Sequence, residues 1–140
     1  MALPQADINL VAVLVAAVVS YFIGFLWFSV LFGKAWLHLS GFTEKKMEEM
    51  KKKGMGKSYL LMFIGTFIMS YVLAHFVDYA GAVTFRDGMI AGFWLWLGFI
   101  APVQLGMVLW QGKPWKLYFI ETFHYLVALL VMAGILAVWV

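Results

Sequence analysis

Two pairs of ionisable residues lie inside apolar stretches of the chain: His75 with Asp78, and Glu121 with His124. In each pair the members are three apart, which on a helix puts both on one face. Tyr71 shares the first face and Tyr125 the second, and Gln104 adds an uncharged polar group in a third apolar stretch. Ionisable groups in hydrocarbon are expensive and mark ion pathways, proton relays or ligand sites. One chemistry for this set is a ladder for protons or a small cation, with Glu121 and His124 at one depth and His75 and Asp78 at another. A second is metal or haem ligation, since Glu-x-x-His also occurs in carboxylate-bridged di-metal bundles. Only one such pair is present, with no second buried glutamate. The third reading is structural: Asp78 reaches water or Arg86, and Glu121 pairs with Lys116.

Depth separates the two pairs. His124 is eight residues past Lys116 and His75 is eighteen past Lys57. The difference corresponds to ~15 Å of helix rise. The two histidines of one subunit should therefore not share a metal, and a haem or metal route needs a second subunit.

The elements that must carry these residues follow from composition. The chain is 65% hydrophobic and 12% charged, with mean hydropathy +0.94. A soluble domain is roughly 45–50% apolar and about 25% charged, so lipid is the expected solvent. Four runs are long enough to span a bilayer as helices: residues 8–32, 58–80, 87–110 and 117–140. None alternates with period two, which argues against a barrel. The expected fold is all-α: one polytopic membrane domain over residues 1–140 with four transmembrane helices. The first run is too long for a cleaved signal sequence and reads as a retained span.

Lysines set the expected orientation. Lys34, Lys45, Lys46, Lys51, Lys52, Lys53 and Lys57 fall in the first connection and Lys113 and Lys116 in the third. Only Arg86 falls in the second. Nine of the ten basic residues are thus on one side, read as cytoplasmic, with both termini outside. Residues 42–55 read as a cytoplasmic amphipathic arm, capped by Thr43 and ended by Gly54 and Gly56. It is expected to lie on anionic lipid headgroups or to dock a partner.

Small residues recur every four positions at Ala12, Ala16, Ser20 and Gly24, at Gly88 and Gly92, and at Gly98, Pro102 and Gly106. They mark helix contacts, within the chain or in a homo-oligomer. Pro102 should kink the third helix and free a carbonyl. Gly-Lys-x-Trp occurs twice, at Gly33–Trp36 and Gly112–Trp115. The repeat gives Lys34, Trp36, Lys113 and Trp115 as interfacial anchors, the glycine ending or loosening each helix. With the echo of Gly65–Phe67 in Glu121–Phe123, it is also the pattern that two parallel helical-hairpin repeats would leave. Trp94 and Trp96 either pack or line a flat pocket for a quinone or pigment.

Cysteine is absent, and no phosphate-binding loop, nucleophile triad or metalloprotease motif occurs. The sequence therefore assigns no enzyme activity, catalytic residue, cofactor or metal. Lysines lying against a membrane give no reason to expect nucleic acid. The stretch YFIGFLWFSVLFGKAWLHLSGFTEKKM, with Gly24–Trp27, Phe32–Trp36 and the lysine arm, resembles the opening of a family of small bacterial four-helix membrane proteins catalogued as a domain of unknown function. That resemblance implies the fold and the bacterial cytoplasmic (inner) membrane, and no activity. The residues themselves point first to a channel or transporter for protons, cations or a small solute. The alternatives are a lipid- or partner-binding module and a haem or quinone protein.

Overall fold

The computed structural model describes residues 5–139. Asn9 opens helix α1 (Leu10–Phe25), its side chain accepting from the Val11 and Ala12 amides. The helix then widens into a π-helical segment, Leu26–Leu31, in which the Phe32 amide reaches back five residues to the Trp27 carbonyl at 2.9 Å. Short helix α2 (Gly33–Leu39) follows. Thr43 caps α3 (Glu44–Lys53) through the Lys46 amide, and Gly54 stops it at φ 83°, a conformation glycine adopts without steric cost. Helix α4 spans Gly56–Tyr79, and Thr84 caps α5 (Phe85–Phe99) through the Asp87 amide. A 3₁₀ turn (Val103–Leu105) and α6 (Gly106–Leu109) lead to α7 (Trp115–Val138).

The described residues are all-helical outside turns and contain no strand. Three helical stretches are long and apolar enough to cross a membrane: Leu10–Leu31, Gly56–Tyr79 and Trp115–Val138. The expected third span is broken. Phe85–Phe99 and Val103–Leu109 pass the same test only together, bent by 40°. Proline supplies no amide hydrogen, so the Gly98 carbonyl loses its donor at Pro102. The Ile100 and Ala101 amides both turn to the Trp96 carbonyl. Tyr118 Oη donates to the Ala101 carbonyl at 2.7 Å, satisfying a polar group that the break leaves open.

Helix α7 is the hub. It runs antiparallel to α1 and α5 and parallel to α4, and its tightest seam is with α5. That seam depends on missing side chains: a Cβ on Gly88 would lie 2.2 Å from the Ala133 carbonyl oxygen, and one on Gly92 2.7 Å from that of Leu129. On α1, Ala12, Ala16 and Ser20 are buried as their spacing implied. Among the described residues an added Cβ at Gly98 would meet nothing within 4 Å, so Gly98 makes no close helix seam there. Ser70 Oγ ties α4 to α1 by donating to the Val13 carbonyl at 2.9 Å. The outward face of α1 carries exposed Leu14, Val18, Phe22 and Phe25, a contiguous apolar surface that suits lipid rather than water.

The two Gly-Lys-x-Trp stretches adopt different structures. Gly33 starts α2, whereas Gly112 sits in a turn at φ 69°. The first glycine directly follows Phe32, the C-cap of the π-helical segment, so the helical run breaks there and restarts as α2. The difference follows from the next variable position: Ala35 continues a helix, while extended Pro114 (ψ 148°) launches α7.

Trp94 and Trp96 part company. Trp94 faces outward. Trp96 stacks on Phe123 and donates its indole N–H to the Thr122 carbonyl at 2.7 Å, so the two rings form no common flat pocket. Trp96→Phe removes that donor and should lower stability in detergent by about 1 kcal/mol, measured by thermal unfolding. Trp94→Phe should leave it unchanged.

Candidate functional site

Glu121 and His124 lie in the second and third turns of α7, at the end of the bundle that carries Lys34, Lys113 and Lys116. Three elements converge there. The π-helical segment presents Trp27 and Phe28, with ring centroids 6.3 Å and 4.8 Å from that of His124. Tyr125 completes the wall at 4.9 Å. Gly24 of α1 makes room for the imidazole: a Cβ there would stand 3.2 Å from Nε2. Trp27 is held by its own indole N–H, which donates to the Ile120 carbonyl at 2.9 Å. π-helical segments are rare and concentrate at functional sites. Here the segment puts two successive aromatic residues, Trp27 and Phe28, beside the same imidazole.

His124 is 9% exposed, and neither ring nitrogen has a hydrogen-bond partner. Leaving a buried polar atom unsatisfied costs about 1–3 kcal/mol. One turn away, Glu121 is half-buried and its Oε1 accepts from the Trp36 indole N–H at 3.2 Å. Trp36 packs in tilted contact with Phe28 and Phe42. It therefore reaches inward to the carboxylate, whereas Trp115 is half exposed. Lys34 is exposed and Lys113 partly covered.

The second pair lies elsewhere. His75 packs between Tyr71 and Tyr79 on α4, beside residues 5–10. Gly24, which faces His124, is roughly 21 Å of helix rise along α1 from Leu10. Asp78 is exposed at the end of α4 and lines a small cavity with Asp7 and Asn9. Gln104 occupies the broken segment between α5 and α6, with a buried and unpartnered Oε1. The two ionisable pairs thus form two separate environments. Among the described residues, no three His, Asp or Glu side chains are grouped to hold a metal ion. His124 Nε2 faces Gly24 of α1.

Sequence reasoning placed Trp36 in the headgroup belt and did not connect Trp27 or Phe28 with His124. The available signal was Gly24 three residues before Trp27, one small and one polar-tipped residue on the same face of the first apolar run.

Membrane-length apolar helices around a buried polar site define an all-helical chain built for a bilayer. A family model described as "Protein of unknown function (DUF1761)" matches residues 11–137, and the chain belongs to that family. No curated protein and no solved structure matches it.

Proposed function

We propose that this is a four-span protein of the bacterial inner membrane, with both termini outside, that passes protons or a small cation through the Glu121–His124 site. The broken α5–α6 pair is the remaining span, and the lysine-bearing end faces the cytoplasm by the positive-inside rule. One observation carries the reading: a buried imidazole with both nitrogens unpartnered, one turn from a carboxylate. A fold that needed only packing would place an apolar residue there at lower cost. Glu121 takes up the ion from the cytoplasmic side and His124 receives it, with the π-helical segment as the movable wall. Homo-oligomerisation through the exposed apolar outer faces of the helices fits the same reading.

Proteoliposomes containing a pH-sensitive dye test it. An imposed pH step should collapse faster with the protein than in empty liposomes. Rates indistinguishable from empty liposomes for protons, Na⁺ and K⁺ would remove the proposal.

A second reading, recruitment of anionic lipid, rests on α3. None of its residues is buried, it ends in Lys51, Lys52 and Lys53, and Lys46 Nζ lies 5.0 Å from the Phe42 ring centre. Basic residues near an anionic surface contribute about 1 kcal/mol each. Replacing Lys51, Lys52 and Lys53 with glutamine should reduce the phosphatidylglycerol that co-purifies, counted by native mass spectrometry. An unchanged count would exclude the arm as the binding element.

A further inference from the structure

A groove at the opposite end of α4 carries chemistry that the Glu121–His124 site does not use. Tyr71, His75 and Tyr79 recur every four residues and stack edge-to-face, with ring centroids 4.8 Å and 6.2 Å apart. Gln5, Ile8 and Leu10 line the other side of an open groove of about 590 Å³. Small-molecule sites are typically ~300–1,000 Å³.

The His75 tautomer is fixed by its neighbour. Nδ1 lies 2.9 Å from the Tyr71 carbonyl oxygen. A carbonyl only accepts, so Nδ1 carries the hydrogen, and in the neutral imidazole Nε2 then keeps a lone pair. Among the described residues the lining contains no lysine, arginine, aspartate or glutamate. An anionic headgroup finds no countercharge there, and a cation finds no carboxylate. The complement of this surface is a neutral, flat molecule that donates a hydrogen bond and has an apolar remainder.

We propose that the groove binds a membrane-soluble quinol or related phenol, its ring against Tyr71 and Tyr79 and its hydroxyl donating to His75 Nε2. Ile8 and Leu10 supply an apolar edge for the tail. The corresponding quinone offers a carbonyl oxygen to the same lone pair and gains no bond there. A site built to hydrogen-bond a hydroxyl discriminates against an analogue that lacks it.

The test uses the full chain in phosphatidylcholine nanodiscs, titrated with a short-tailed benzoquinol and with its quinone. Bound ligand is read by equilibrium dialysis. The quinol should bind at least about tenfold more tightly than the quinone. His75→Phe should abolish that preference with helix content unchanged by circular dichroism. His75→Gln, whose amide oxygen still accepts, should keep part of it and serves if the phenylalanine variant does not fold. Glu121→Gln should bind the quinol as the native chain does, which separates this site from the proposed ion site. Equal binding of the two forms by the native chain, or a preference that survives His75→Phe, would overturn the proposal.

Discussion

Replacing Gly88 with alanine should destabilise the protein more than any other single-methyl insertion. The added Cβ would sit 2.2 Å from the Ala133 carbonyl oxygen, 2.7 Å from its carbon and 2.9 Å from the Ala137 Cβ. Two of these are backbone atoms of the hub helix, which cannot rotate aside as a side chain can. Helices α5 and α7 must separate, and the loss spreads along the seam through Gly92 and Leu129. In a bilayer no hydrophobic force draws helices together, so close packing is most of what holds this pair. Overpacking usually costs ~1–3 kcal/mol, and Gly88→Ala should exceed the upper end. At Gly65 and Gly98 an added methyl would meet nothing within 4 Å, so Gly65→Ala and Gly98→Ala should change stability by less than about 1 kcal/mol. Unfolding in a detergent series measures all three. A Gly88→Ala midpoint equal to that of Gly65→Ala would mean that α5 and α7 do not meet as described.

The second large effect concerns function. Glu121→Gln keeps the size of the side chain and an oxygen for the Trp36 indole, but the group no longer takes up or releases a proton. His124→Phe fills the aromatic box formed by Trp27, Phe28 and Tyr125 and removes two unpartnered nitrogens. The two substitutions should therefore diverge. His124→Phe should hold or raise stability, because it removes buried polar atoms without a partner. Both should lower ion flux by more than about tenfold, as expected when an ionisable group that forms an intramembrane pathway is lost. Gly24→Val crowds Nε2 and should lower flux with a smaller loss than His124→Phe. If His124→Phe lowered both flux and stability together, the imidazole would be part of the packing rather than the pathway.

Much of the architecture was legible because each relevant signal was local. The apolar runs coincide with the membrane-length stretches Leu10–Leu31, Gly56–Tyr79 and Trp115–Val138 to within a few positions, and Thr43 and Gly54 bound α3. Pro102 gave the bend. The hub was not legible. Ala12, Ala16 and Ser20 announce a contact face on α1, but nothing in the sequence says that α7 is its partner. The small residues of α7 at Ala128, Ala133, Gly134 and Ala137 are all buried, yet in an apolar run they look like filler. The π-helical segment has no signature either, since Leu26–Leu31 would suit an ordinary helix. That hidden feature brings Trp27 and Phe28 to His124. The polar residues of the site could therefore be read from the sequence, and its aromatic walls could not. Trp36 shows the same limit: a tryptophan near a lysine suggests an interfacial anchor, and only the path of α2 turns its indole toward Glu121.

The most direct measurement is proton flux into dye-loaded proteoliposomes, comparing the native chain, Glu121→Gln and Glu49→Gln. Glu49 lies on the exposed face of α3 and controls for loss of a carboxylate as such. Flux well above that of empty liposomes for the native chain and Glu49→Gln, with a loss of more than about tenfold in Glu121→Gln, is the predicted result. Equal flux from the native chain and Glu121→Gln would contradict the central claim that the ion passes through the Glu121–His124 site.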